Sequence, residues 1–320
     1  MELLFLGTGA GLPMKRRNVA GMVLRMPAER RADWLFDCGE GTQHQLLRTS
    51  VSLHRLEHVF ITHLHGDHLY GLPGILTSRS AQGATSSLRV FGPPGLRTYI
   101  QSVLSASCAH LTYPLHIQEV QPGAVFADDQ ITVTCDQLDH TVPSYGYRVT
   151  ERDLPGKLDR VRLQQQGIPP GPVYGRLKRG EDVTLADGRT LHANDYVFAS
   201  RKGRTVVVLG DTRPTSRAIN LARGANVLVH EATFASEHQQ LAHRYGHSTA
   251  VEAARTAAEA GVDILVLTHI SARYADDASR LLSEAQSIHP RTYLAEDFWN
   301  LSVDVRSGSV ESSPPHPGRE

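Results

Sequence analysis

The chain has 320 residues, of which 40% are hydrophobic and 21% charged, as is typical of a globular protein with one large domain or two smaller ones. Its formal net charge is zero, which excludes a uniformly basic nucleic-acid-binding surface, so any RNA contact requires a local basic patch. The lack of a long apolar run, of a signal-peptide pattern and of paired cysteines excludes a membrane or disulfide-rich secreted protein and predicts a cytoplasmic one.

Short apolar runs rich in Val, Ile and Leu predict buried strands in chain order. The predicted strands are 2–6, 58–62, 131–135, 205–210, 226–230, 263–268 and 292–295. The predicted helices are 40–49, 95–106, 248–260 and 276–288. Ser248 or Thr249 can cap the third helix, and Gly261 can end it. Strands mixed with helices in this way predict a layered α/β domain.

One segment, about 153–192, departs from this alternation. Pro and Gly are dense in it, and basic side chains cluster at Arg176, Lys178 and Arg179. The composition leaves two interpretations open, a protruding arm or a plain surface loop. We expect one domain over 1–306 with this segment inserted, and a polar, Pro-rich tail over 307–320 that is disordered.

The strongest local signal is HLHGDH at 63–68, directly after an apolar run. His63 and His65 are two residues apart, so an extended backbone sends both imidazoles to one side. Gly66 permits a sharp turn, after which Asp67 and His68 point in different directions. One metal cannot readily use all four side chains, so the spacing predicts two metals side by side. The donors suit zinc, and also manganese or iron, and such a cluster is rarely an inert histidine-rich turn.

The remaining ligands are expected at the ends of other strands, where sites in open α/β sheets gather. His140, Asp211 and His269 each follow an apolar run. A carboxylate at Asp211 is costly among apolar residues unless it is paired or bound to metal, and its two oxygens can serve two metals. Any one of the three alone would be read as a structural polar residue.

The HLHGDH sequence resembles the H-x-H-x-D-H signature of the metallo-β-lactamase superfamily, and the later candidates match its ligand motifs in order. The resemblance implies an α/β fold of the αβ/βα sandwich type, with two mixed sheets facing each other and helices outside. It also implies two zinc sites and a bridging residue: His63, His65 and His140 for one zinc, Asp67, His68 and His269 for the other, and Asp211 between them.

Other motifs narrow the resemblance to the ribonuclease Z family: FDCGEGTQHQL at 36–46, GPVYGRLKRG at 171–180, GDTR at 210–213, HEATF at 230–234 and GHST at 246–249. The likeness runs from Met1 to about Asp304. It implies a homodimeric endoribonuclease that cleaves the 3′ trailer from precursor tRNA and grips the tRNA with a Gly-Pro-rich exosite arm. Cations there can neutralise phosphates without reading sequence. The implied RNA-binding residues are Gly171, Pro172, Arg176, Lys178, Arg179 and Gly180.

The mechanism that we expect starts from a water bridged by the two metals, whose pKa falls toward about 7. The resulting hydroxide attacks phosphorus, leaving a 3′-hydroxyl on the tRNA and a 5′-phosphate on the trailer. Asp67 is the candidate base, and His247 resembles the family's general acid or phosphate-contacting histidine. Glu231 either holds that imidazole in its tautomer or makes a structural hydrogen bond, and both interpretations stay open.

Two other functions use the same residues. A small-molecule hydrolase of the arylsulfatase or lactonase type would need the same metals, but the basic segment and the HST triplet argue against it. A non-catalytic RNA-binding or metal-sensing module is disfavoured by the intact set of ligands and by Asp67.

Overall fold

A computed structural model describes residues 1–28, 30–153, 156–198, 200, 202–303 and 312–313. The chain forms two compact units, a larger one of Met1–Asp128, Thr132–Thr150 and Arg204–Glu320 and a smaller one of Asp129–Ile131 and Glu151–Gly203. The segment 153–192 falls within the smaller unit, and its role as an arm inserted in one domain stays a prediction. The predicted disordered tail lies outside the described residues apart from Ser312–Ser313, which form a short strand.

The strands are β1 (Glu2–Gly7), β2 (Gly21–Arg25), β3 (Asp33–Cys38), β4 (Leu56–Phe60), β5 (Leu88–Gly92), β6 (Leu115–Glu119), β7 (Gly123–Ala127), β8 (Ile131–Leu138), β9 (Ser144–Glu151), β10 (Val183–Thr184), β11 (Thr190–Leu191), β12 (Thr205–Leu209), β13 (Val227–Glu231), β14 (Ile264–Thr268), β15 (Thr292–Leu294), β16 (Asn300–Ser302) and β17 (Ser312–Ser313). The α-helices are α1 (Thr42–Leu47), α2 (Gly66–Leu69), α3 (Leu72–Ala81), α4 (Leu96–Ala106), α5 (Arg160–Gln165), α6 (Pro172–Lys178), α7 (Ala193–Tyr196), α8 (Ser216–Ala222), α9 (Gln239–Tyr245), α10 (Ala250–Ala260) and α11 (Ser279–Gln286). Every strand and helix predicted from the sequence has a counterpart here.

Two mixed sheets form the larger unit. One has the strand order β17-β16-β1-β2-β3-β4-β5-β6 and the other β15-β14-β13-β12-β9-β8-β7. The sheets face each other, because the Tyr147 ring on β9 lies 5.2 Å from that of Phe60 on β4 and 6.3 Å from that of Phe36 on β3. Strands covered on both faces are apolar almost throughout, as every residue of β12 and β13 is buried.

Helices cover the outer face of each sheet. An apolar core joins the first sheet to α1, α3 and α4, and a second core joins the other sheet to α8, α10 and α11. Small side chains on α10 let it lie close to the strands, since its buried face is mostly alanine. Thr249 and Glu252 form a reciprocal capping box at its start, and Gly261 ends it in the left-handed conformation. The αβ/βα sandwich predicted from the resemblance is confirmed.

The smaller unit has its own secondary structure and its own core. It contains α5, α6, α7 and the antiparallel β10–β11 pair. Its buried apolar residues are Leu163, Ile168, Tyr174, Leu177, Val183, Leu191, Ala193 and Tyr196. The segment is therefore a small folded unit and not a plain loop.

Candidate metal centre

Loops after several strands bring the seven predicted ligands together. His63 and His65 follow β4, Asp67 and His68 lie in α2, and the others follow β8, β12 and β14. Within each of two groups, one potential ligand atom per residue lies within 4.8 Å of the others. The groups are His63, His65, His140 and Asp211, and Asp67, His68 and His269.

The first group has the spacing of a metal site. Nδ1 of His65 lies 3.1 Å from Nε2 of His63 and 3.2 Å from Nε2 of His140. Two nitrogens on one tetrahedral zinc, each about 2.0–2.1 Å from the ion, are about 3.3 Å apart. Burial lowers the pKa of all three imidazoles, so each is neutral and offers a lone pair near pH 7. The donor set therefore fits a metal ion.

The second group adjoins the first through a shared carboxylate. Nε2 of His269 lies 3.2 Å from Nε2 of His68 and 3.3 Å from Oδ2 of Asp67. Oδ2 of Asp211 lies 3.6 Å from Nε2 of both His63 and His68, and 3.4 Å from Nε2 of His269. Asp211 thus stands between the two groups, in the position that a bridging ligand requires.

Hydrogen bonds on the far side of the rings orient them. Nδ1 of His68 is 2.7 Å from Oδ2 of Asp37, and Nδ1 of His140 is 2.7 Å from the carbonyl oxygen of Gly246. Because these acceptors require a proton on Nδ1, the lone pair lies on Nε2, which faces the other ligands. Thr233 Oγ1 lies 2.9 Å from Nδ1 of His269.

Three of these positions have an unusual backbone conformation, with positive φ. Gly246 has φ +84°, and a Cβ there would meet Nδ1 of His140 at 2.7 Å, so only glycine fits against that ring. His269 and Asp37 are non-glycine residues with φ of 57° and 54°. Such strain persists where the surroundings over-determine the conformation, which is common at functional sites.

The buried carboxylates at this centre favour positive charge beside them. Burial would raise the pKa of Asp211, but His269, His68 and His63 beside it hold that pKa well below its usual range. Burial likewise opposes the charge on His68, while Asp211 and Asp37 raise its pKa well above the usual value. Metal ions would replace those protons, so metal binding here is expected to release protons.

A histidine–glutamate pair lies beside the ligands. Nδ1 of His247 is 3.0 Å from Oε1 of Glu231 and 3.7 Å from Oδ2 of Asp211. Burial lowers the pKa of His247, but the Glu231 carboxylate and its hydrogen bond raise it, together with Asp211, to about 9. The structure thus places Glu231 where it can hold the His247 imidazole, one of the two roles left open above.

The predicted RNA-binding residues lie in the smaller unit, at and around α6, and all six are exposed. Arg176 and Arg179 both reach Glu181, with Nε–Oε distances of 3.1 and 2.8 Å. Two of the three predicted cations are therefore paired with a carboxylate of the same segment.

Sequence patterns missed the residues behind the rings, Asp37, Thr233 and Gly246. Asp37 carried a usable signal, since it is a carboxylate in the apolar run DWLFDC, the same argument that singled out Asp211. Nothing local marks Thr233, whose hydroxyl contacts both Glu231 and His269. Among the described residues, no helix combines the length and apolar composition of a membrane span.

Comparison with known proteins identifies the family. The chain is 53% identical to ribonuclease Z of Bacillus licheniformis and to that of Bacillus subtilis, in each case over 304 residues that cover 95% of this chain and 99% of the relative. Human tRNase Z, short form, matches 95% of this chain and 100% of its own with a TM-score of 0.70 and 29% identity.

Two family models match parts of the chain. Residues 1–153 match the model described as anti-Pycsar protein Apyc1, and residues 176–270 match the beta-lactamase superfamily domain. With half of its residues identical to these relatives over nearly their full length, the chain belongs to the ribonuclease Z family, hydrolytic endoribonucleases of the metallo-β-lactamase superfamily.

Proposed function

We propose that this chain removes the 3′ trailer from precursor tRNA, leaving a 3′-hydroxyl on the tRNA and a 5′-phosphate on the trailer. The observation that carries the proposal is the pair of adjoining ligand groups with Asp211 between them, in a chain whose relatives are named ribonuclease Z. Two Zn²⁺ ions suit these donors best, and Mn²⁺ suits them as well. Bound there, the ions would activate a water for attack on phosphorus and offset charge on the phosphate oxygens.

The residues of the chain have distinct tasks in this proposal. His63, His65 and His140 would hold the first ion, Asp67, His68 and His269 would hold the second, and Asp211 would contact both. Asp67 also accepts a proton from the attacking water, and the backbone N–H of Gly11 donates to its Oδ2 at 2.8 Å. That hydrogen bond keeps the carboxylate in one orientation as the proton moves.

The leaving group is the ribose 3′-oxygen, which is a poor leaving group unless it is protonated. His247 is the proposed donor, because its Nδ1 is held by Glu231 and its Nε2 has no hydrogen-bond partner among the residues that the structure describes. Glu231 stabilises the protonated imidazole and fixes its orientation. Asp67 thus takes a proton from the attacking oxygen, and His247 gives a proton to the leaving oxygen.

The smaller unit is the proposed tRNA-gripping arm. Arg176, Lys178 and Arg179 would contact phosphates, while Gly171, Pro172 and Gly180 shape the surface around them. We further propose that the protein is a cytoplasmic homodimer, as the resemblance to the family implies.

The decisive experiment strips the protein of metal, adds Zn²⁺ or Mn²⁺ back, and maps both product ends on precursor tRNA. We expect no cleavage without metal, and a tRNA 3′-hydroxyl and trailer 5′-phosphate with it. A small phosphodiester serves as the control substrate. Metal-dependent hydrolysis of that diester, with intact precursor tRNA, would contradict the proposal and favour a small-molecule hydrolase.

A further inference from the structure

Arg213 joins, from behind, the two loops that carry His140 and His247. Its Nε donates to the carbonyl oxygen of His243 at 2.6 Å, and its Nη1 donates to Oδ1 of Asp139 at 3.1 Å. Its backbone N–H donates to the carbonyl oxygen of Asp139 at 2.7 Å. One residue is thus bonded to the neighbour of His140 and to the helix that precedes His247.

The contact with His243 acts on the end of α9. That same carbonyl oxygen accepts from the backbone N–H of Gly246 at 3.2 Å, where the chain turns out of the helix. A guanidinium at the last carbonyls of a helix satisfies an acceptor and complements the negative end of the helix dipole. Arg213 therefore stabilises the turn that places Gly246 against His140 and directs His247 inward.

The residue before Arg213 connects the same loops to the proposed proton donor. The backbone N–H of Thr212 donates to Oε1 of Glu231 at 3.0 Å, and its carbonyl oxygen accepts from the Ser248 hydroxyl at 2.6 Å. The hydroxyl of Thr212 in turn accepts from the backbone N–H of Asp139 at 3.2 Å. Asp211 directly precedes Thr212 and Arg213. Residues 211–213 therefore hold the proposed bridging carboxylate, the His140 loop and the His247 loop in fixed positions relative to one another.

We propose that Arg213 is a positioning residue that sets the distance between His140, a ligand, and His247, the proton donor. It acts through Asp139 and the end of α9. The inference rests on the proposed function for its catalytic part, whereas its effect on the metal site is independent of the substrate. Partners behind metal ligands typically change metal affinity or activity by about 10- to 100-fold when they are removed.

The test compares Arg213→Ala with Arg217→Ala. Arg217 is an exposed arginine on α8, so its loss removes the same charge nearby without touching either loop. For Arg213→Ala we expect kcat on precursor tRNA to fall about 10- to 100-fold with little change in KM. We also expect the Zn²⁺ affinity of the metal-free protein, measured by chelator competition without RNA, to fall by a similar factor. Arg217→Ala should leave both unchanged.

Guanidinium ion at sub-denaturing concentration separates local positioning from general damage to the fold. The Arg213 side chain is 29% exposed, so a free guanidinium can reach the space that it vacates. We expect guanidinium to restore part of the lost kcat in Arg213→Ala and urea at the same concentration to restore none. The inference is overturned if Arg213→Ala keeps wild-type kcat and Zn²⁺ affinity, if Arg217→Ala loses as much as Arg213→Ala, or if guanidinium does not restore activity. If the wild-type protein binds Zn²⁺ but leaves precursor tRNA intact, the proposed function fails, and the Zn²⁺ comparison still tests Arg213.

Discussion

Nδ1 of His247 lies 3.0 Å from Oε1 of Glu231, and this hydrogen bond holds the imidazole that is the proposed proton donor to the leaving oxygen. Glu231 is buried, and its other oxygen accepts from the Thr233 hydroxyl at 2.6 Å. A carboxylate held from both sides cannot rotate away, so the imidazole keeps one orientation. His247 is therefore suited to protonate the leaving oxygen. The contribution of this protonation to the rate depends on how poor the leaving group is.

Replacing His247 should affect substrates unequally. In His247→Ala, kcat on precursor tRNA should fall about 100- to 10,000-fold, the usual contribution of a general acid. Hydrolysis of bis(p-nitrophenyl) phosphate should be much less affected, because nitrophenolate leaves without a proton. Zn²⁺ content measured alongside controls for loss of the metal centre. Equal losses on the two substrates would show that His247 does not protonate the leaving group.

Asp37 should control the tautomer of His68. In Asp37→Asn, an amide N–H₂ can face Nδ1 of His68 and favour the tautomer with its proton on Nε2, which cannot then bind metal. We expect Zn²⁺ affinity to fall about 10- to 100-fold, as judged by chelator competition. The matched control is Asp33→Asn, a buried aspartate on the same strand that pairs with Arg55 at 2.9 Å. Unchanged affinity in Asp37→Asn would contradict the assigned role.

Glu181 should weaken tRNA binding by occupying Arg176 and Arg179. In Glu181→Gln both guanidinium groups become available to phosphate, so Kd should fall a few-fold and its salt dependence should steepen by about one unit of log–log slope. Asp187→Asn, which frees Arg189 from a 2.8 Å ion pair in the same unit, is the control. Titration of labelled precursor tRNA at several salt concentrations measures both. The same change in the control would indicate a general charge effect. An unchanged Kd and salt dependence in Glu181→Gln would show that Glu181 does not weaken tRNA binding.

His58 should make the fold sensitive to acid. It is buried among Trp34, Phe60, Phe91 and Phe126, and burial lowers its pKa to about 4. Between about pH 6.5 and 4 the unfolded chain binds a proton that the folded chain refuses, so stability is full above that window and is lost as pH falls through it. By pH 5 the loss is about 2 kcal/mol of unfolding free energy.

This loss should be measured on the metal-free protein, because acid also protonates the metal ligands and would release bound metal. Unfolding at pH 7.5 and pH 5 should show a smaller acid-induced loss for His58→Phe than for the wild type. His116→Ala, at an exposed position on β6, should behave like the wild type. If His58→Phe loses as much stability as the wild type, His58 is not the group responsible.

The local pattern of the sequence predicted a layered α/β domain and the main candidate ligands, and the resemblance to the metallo-β-lactamase superfamily implied the sandwich. Apolar runs such as TVVVL and ILVLT predict strands because of their continuous Val, Ile and Leu, and HLHGDH places four potential ligands within six residues. His140, Asp211 and His269 were recognisable because each follows such a run, and strand ends collect at one edge.

Only the tertiary structure decided what holds those ligands and what the basic segment presents. His68 meets Asp37, and His140 meets Gly246, across 31 and 106 residues of chain, and no periodicity in the sequence records such pairings. In the sequence, Arg213 is only the last residue of GDTR. The structure shows that its guanidinium lies between Asp139 and the end of α9. Likewise, the sequence indicated Arg176 and Arg179 only as candidate phosphate-binding cations, and their pairing with Glu181 depends on the turn after α6. Side-chain direction in space, which local sequence does not encode, is the physical reason in each case.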